Sequence, residues 1–269
     1  MNDGKALAAE TAPASVGDQV RWRVRDTLGI YGREAAYQFW GLVRMPGFAL
    51  PTLLFPAMFY LFFGALFGGR QYGAYFLATY ATFGVMGPAL FGFGVGVAME
   101  REHGVLSLKR VFPLPPLAYF CAKLAMSALF ALIITVILSI LAAATTGVVL
   151  PRANWFVLAG VLVAGTLPFC ALGLTIGFYV NGQASAAIVN LIYLPMSFLS
   201  GLWVPIQQLP DFLQHFARAL PAYHLGQLAL AVVGRADGDS IWTHIGYLIV
   251  FTIVFLLIAL RGWRRIQDR

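Results

Sequence analysis

Long intervals without a charged side chain constrain this sequence more than any other feature. Met45–Gly69, Gln71–Met99, Leu124–Pro151, Ala153–Pro210 and Ser240–Leu260 contain no Asp, Glu, Lys or Arg. A helix needs about 20 apolar residues to cross ~30 Å of hydrocarbon, and each interval meets that length. The fourth is far too long for one crossing and breaks at "NGQAS", Asn181 to Ser185, where turn-forming residues cluster. The expected fold is therefore an all-α integral membrane protein with six transmembrane helices, at about 48–68, 74–98, 124–149, 155–180, 186–206 and 240–260. Composition agrees: 60% of the 269 residues are hydrophobic and 11% charged, against about 25% charged in soluble domains. The runs lack the two-residue alternation of a membrane β-barrel.

Orientation follows from Lys and Arg, which collect on the cytoplasmic side. With the N-terminus inside, six precede the first span, four lie between spans two and three and four follow the last, leaving only four of the 18 for the outer segments. Both termini are expected in the cytoplasm. This sorting also explains the net charge of +7 without a basic face for nucleic acid. Residues 1–19 are small, polar and aperiodic and read as a disordered cytoplasmic tail. Residues 20–269 read as one transmembrane domain. From about Val20 to Arg44, Val24, Leu28, Tyr31, Ala35, Phe39 and Leu42 recur at helical spacing. Tyr37 and Trp40 suit the headgroup region, so this segment is an interfacial helix.

Between spans five and six, Pro205, Pro210 and Pro221 cut an unusually apolar segment into short pieces. Leu209, Phe212, Leu213, Phe216 and Leu220 form a stripe there. Broken helices at membrane depth are tolerated only where protein or a cavity surrounds them, so re-entrant half-helices are expected at the outer face. The inner loop "MEREHGVLSLKRVFPLPPLAYF", Met99 to Phe120, concentrates charge and then closes with prolines. It reads either as a rigid helical strut, with Glu100 and Glu102 near the helix N-terminus and bases further along, or as a solvated loop obeying the charge rule.

The chain has no phosphate-binding glycine loop, no HExxH and no nucleophile elbow. Cys121 and Cys170 lie in or beside apolar runs and read as packing residues; no metal site is expected. Lys123, at a helix end, is expected to snorkel toward water. The spans offer no buried charges for ion coupling. Asn190, Tyr193 and Thr175 are the polar pathway candidates, and helix-to-helix hydrogen bonds explain them equally well. Gly64 with Gly68, and Gly173 with Gly177, permit close packing, within the protomer rather than across a dimer seam. An intramembrane enzyme built on Ser200 and His224, a passive channel and a non-catalytic scaffold are the rival classes.

From about Gly29 onward the chain resembles the membrane subunits of type-2 ABC exporters. "MEREHGVLSLKRVFPLPPLAYFCAKL" is similar to that family's cytoplasmic loop and "FLSGLWVPIQQLPDFLQHFARALPAYHL" to its outer gate. "RMPGFALPTLLFPAMFYLFFG" is similar to its entry into the first span. The resemblance implies a permease in the bacterial plasma (inner) membrane, not an enzyme by itself, paired with a second permease copy as a homodimer or heterodimer. Two ABC ATPase subunits would bind ATP and Mg. Glu100, Glu102, Gly104, Leu106, Arg110, Pro113 and Pro115 would form the ATPase-coupling element. Ser200, Gly201, Pro205, Pro210, Phe212, Phe216 and Pro221 would form the outer gate. The implied cargo is a drug, natural product or lipid, passed between protomers along spans one, two and five. A lipid-linked polysaccharide is the alternative.

Overall fold

The computed structural model describes residues 24–44, 46–105, 116–236 and 238–267. The expected tail, and Leu106, Arg110, Pro113 and Pro115 of the inner loop, lie outside these. Among the described residues the chain is mostly helical, without a strand, and five apolar stretches are long enough to cross a membrane. The first, Phe48–Glu102, has 55 residues and folds back on itself. Helix α2 (Pro46–Phe59) continues as π-helix through Tyr60–Gly68, then α3 (Gly69–Leu90) returns. Gly69 makes the reversal with φ 55°, a region other residues rarely enter. The arms are antiparallel: Phe59 stacks on Tyr80, Gly64 faces Phe76 and Pro56 faces Gly84.

α3 is the pillar of the bundle. Every residue from Phe76 to Leu90 is buried, as befits a helix that is apolar on all sides. It passes through a π-helical segment, Phe91–Val95, into α4 (Gly96–Glu102). Around it pack α2, α5 (Pro116–Leu141), α6 (Arg152–Ala164), α7 (Leu167–Tyr179), α8 (Gly182–Leu199) and α10 (Pro221–Val232). The last long helix, α11 (Ile241–Gln267), lies along α7 and α10. Helix α1 (Val24–Val43) lies against α5. Gln38 and Phe39 face inward, with Phe39 against Phe130, while Tyr37 and Trp40 are exposed.

Two departures from the expected spans have local causes. The fourth is interrupted at Gly165–Thr166, between α6 and α7. A Cβ on Gly165 would lie 2.2 Å from Leu225 of α10, and Pro168 sits in the first turn of α7. The fifth ends at Leu199, short of residue 206, because Gly201 turns the chain with φ 75°. The turn at Asn181 is where the sequence placed it: its side chain accepts from Ala184 N at 2.9 Å and caps α8.

Lipid is as apolar as leucine, so close backbone packing and hydrogen bonds, not water exclusion, hold such helices together. The glycine pairs do this within the protomer. Gly64 and Gly68 admit Phe76, and Gly173 meets the carbonyls of Ala89 and Leu90. Gly177 abuts the Phe93 carbonyl, 2.7 Å from where a Cβ would stand. Gly177→Leu is expected to destabilise the purified protein by about 2–3 kcal/mol through overpacking. Gly160→Ala, with nothing within 4 Å, should leave the melting temperature unchanged or slightly raised. Thermal unfolding in detergent reads both.

Candidate functional site

Two of the three polar pathway candidates converge. Asn190 and Tyr193, one helical turn apart on α8, line a cavity of about 280 Å³ bounded by Phe48, Phe55, Gly87 and Phe91 of α2, α3 and the π-segment. The Tyr193 ring stacks on Phe83 with centroids 5.0 Å apart, and its hydroxyl donates to the Phe83 carbonyl at 3.0 Å. Thr52 Oγ1 donates to the Phe48 carbonyl at 2.7 Å. Asn190 Nδ2 donates to the Ala186 carbonyl at 3.1 Å, so its own side-chain carbonyl is the polar atom left open in an aromatic wall. Thr175 is elsewhere: on α7, it donates to the Phe255 carbonyl at 2.9 Å and joins α7 to α11.

The outer segment closes one end of this wall. Each proline begins a new piece. Pro205 precedes a 3₁₀ turn (Ile206–Gln208), Pro210 precedes α9 (Asp211–Ala217), and Pro221 opens α10, where a missing N–H costs nothing. Tyr75 and Tyr80 of α3 donate to the Gly201 and Trp203 carbonyls, both at 3.2 Å, and Trp203 stacks on Phe59 at 5.3 Å. The expected apolar stripe divides: Leu209 and Leu213 pack with Ile206, Ala217 and Tyr223, whereas Phe212 and Phe216 are exposed. Ser200 is buried and its hydroxyl has no partner. It is not paired with His224, whose ring nitrogens meet His244 Nδ1 at 2.8 Å and the Arg218 carbonyl at 2.9 Å. The serine–histidine enzyme reading loses its geometry there.

At the opposite end the acidic pair belongs to α4, not to the first turn of a loop helix, because the chain turns at Gly104 with φ 72°. Glu100 accepts from Lys123 Nζ at 2.9 Å and from the Tyr119 hydroxyl at 2.6 Å, both on α5. Arg101 donates to the Phe178 and Val180 carbonyls at the end of α7. Glu102 accepts from Gly182 N at 2.5 Å, at the start of α8. Three successive residues thus satisfy a lysine, a helix C-terminus and a helix N-terminus. Lys123 does not snorkel: it is 2% exposed, with Gln38 Oε1 and the Gly92 carbonyl also within 3.5 Å. Sequence reasoning missed Lys123, Tyr119, Arg101 and Trp203. The available signal was a lysine and a glutamate at facing ends of consecutive apolar spans, since charges at that depth need partners.

Breaking such a pair leaves an uncompensated charge. Glu100→Gln alone is expected to cost about 3 kcal/mol, and Glu100→Gln with Lys123→Met to recover more than half of it. A double-mutant cycle of melting curves checks this; additive losses would mean that the two groups are uncoupled.

A sequence profile described as "ABC-2 family transporter protein" matches residues 65–261. YvfS of Bacillus subtilis (strain 168), named as a transport permease, is 29% identical over 238 residues, covering 86% of this chain and 96% of its own. The inner membrane transport permease YhhJ of Escherichia coli (strain K12) is 26% identical over 186 residues, 64% of this chain and 46% of its own. Nodulation protein J of Bradyrhizobium diazoefficiens is 34% identical over 76 residues, 28% of this chain and 29% of its own. With more than half its length matched and its apolar helices arranged as described, this chain belongs to the ABC-2 transporter family as a multi-pass membrane permease.

Proposed function

We propose that this chain is the transmembrane subunit of an ATP-driven exporter, moving a hydrophobic or amphipathic molecule outward with work supplied by separate ATPase subunits that bind ATP and Mg. The observation that carries the reading is the cavity of Phe48, Phe91, Asn190 and Tyr193, an aromatic wall with one open polar atom in a permease of this family. Such a wall suits a cargo with much apolar surface and few polar groups. Six crossings result when the Phe48–Glu102 hairpin counts as two spans, and the reading puts both termini in the cytoplasm of a bacterium, on the side where Lys and Arg collect. The exposed apolar faces of α2 and its π-helical continuation, with Leu54, Met58 and Phe62, and of α8, with Leu191 and Leu194, are where a second permease copy would seat. That copy would close the cavity from the other side.

Nucleotide-driven closure of the ATPases would press on the inner loop. The α4 terminus would pass the displacement to α5, α7 and α8 through Glu100, Arg101 and Glu102. ATP shifts the equilibrium of the spans only as far as its affinity differs between their two arrangements. α9 and α10, with Phe212 and Phe216 exposed on α9, would yield at the outer exit.

Purification from native membrane is expected to bring down an ATPase with a phosphate-binding glycine loop, whose hydrolysis rises with transported compounds. A preparation without any nucleotide-binding partner rejects the reading. Asn190→Leu should change the order of preference among those compounds while leaving basal hydrolysis intact. Arg110→Glu should lower stimulated hydrolysis at an unchanged melting temperature. Glu102→Lys should lower both, because it also unseats Gly182. Full transport and assembly with Arg110→Glu would remove that residue from the coupling element.

A further inference from the structure

We propose that a phospholipid with an anionic headgroup is bound along α11, its acyl chain lying in an apolar furrow and its phosphate held by Arg264 and Arg101. The furrow is on the side of the bundle lined by α5, α6, α7, α10 and α11, away from the cavity of Asn190 and Tyr193. It consists of two hollows, of about 560 Å³ and about 340 Å³, which share Leu167 and Thr252 and so run into one another. On α11 the lining passes from Ile241 through Ile245, Leu248, Thr252 and Leu256 to Trp263. At ~1.5 Å per residue that path is about 33 Å, close to the ~30 Å of a bilayer core.

The lining chemistry selects hydrocarbon. The hydroxyl in the wall, on Thr252, donates to the Leu248 carbonyl at 2.6 Å and is satisfied without a ligand. Cys170 and Ala171 form part of the floor, and Leu124, Leu256 and Leu260 part of the sides. Water entering would find almost nothing to bond, and an empty groove would forfeit its dispersion contacts. A flexible acyl chain loses neither.

The charge at one mouth selects the headgroup. Arg264 follows Leu260 by one helical turn and is exposed, so it sits at the end of the α11 stripe that lines the smaller hollow. Arg101 donates to the carbonyl of Phe178, whose residue lines the same hollow. Among the described residues neither arginine has a carboxylate partner. Guanidinium groups with open donors beside a hydrocarbon slot match a phosphodiester above a fatty chain. From Thr252 to Trp263 the furrow is about 17 Å long, roughly one leaflet, so one lipid from the leaflet on the Arg264 side fills it.

The test uses the full chain in phosphatidylcholine vesicles containing a minor fraction of phosphatidylglycerol with a photoactivatable diazirine on the acyl chain. After illumination, peptide mass spectrometry is expected to place crosslinks on α7 and α11 between Thr252 and Trp263, well above those on the exposed α5 face at Leu132 and Val136. Arg264→Glu should lower them about thirtyfold, from about 1 kcal/mol for the interfacial basic charge removed and a like penalty for the acidic charge added. Leu256→Trp, at a lipid-exposed position where folding tolerates bulk, should lower them by filling the slot. The same probe on phosphatidylcholine should crosslink weakly. Even labelling of all lipid-facing helices, or yields indifferent to both substitutions, would show ordinary annular lipid and overturn the proposal.

Discussion

The packing depends on one requirement: at the end of α4, charged and backbone polar groups must find partners, Lys123 at only 2% exposure. Glu100, Arg101 and Glu102 meet it together. They neutralise a buried lysine, close the carbonyl end of α7 and cap the amide end of α8. Oppositely directed helix termini meet there, so an acid for one and a base for the other is the pairing the helix dipoles favour. α1 is drawn in as well, through Gln38 beside Lys123. The rest of the bundle then needs only shape, with glycines against carbonyls and aromatic rings against each other along α2, α3 and α8.

The fold was legible in the sequence where it follows from solvent. Charge-free length located the apolar helices, the Asn181 turn fell where turn-forming residues cluster, and the prolines at 205, 210 and 221 each began a new piece. Distance in sequence hid the rest. Nothing local tells that Gly165 exists for Leu225, or that Lys123 turns inward to Glu100. Hydropathy also blurs Leu209 with Phe212: both read as apolar stripe, yet one is buried in a small satellite core and the other faces out.

For the candidate site the sequence supplied residue types but not their grouping. Asn190 and Tyr193 share a cavity because one turn of α8 puts them on one face toward α2 and α3, whereas Thr175, equally polar, is consumed by α11. The acids expected at the start of a loop helix are instead the last turn of a span. This draws the inner loop and the α7–α8 turn into one mechanical unit.

That unit also has a place in time. Glu102 and its partner Gly182 are 80 residues apart. At roughly 5–20 residues per second of synthesis, about 4–16 s separate the emergence of the α4 terminus from that of the α7–α8 turn. During that interval the carboxylate has only water for company, so the first hairpin must wait at the membrane surface with its end hydrated. It sets firmly only when the second half of the chain has arrived. The contact between Glu102 and Gly182 thus forms only after the α7–α8 turn has been made, late in the synthesis of the bundle.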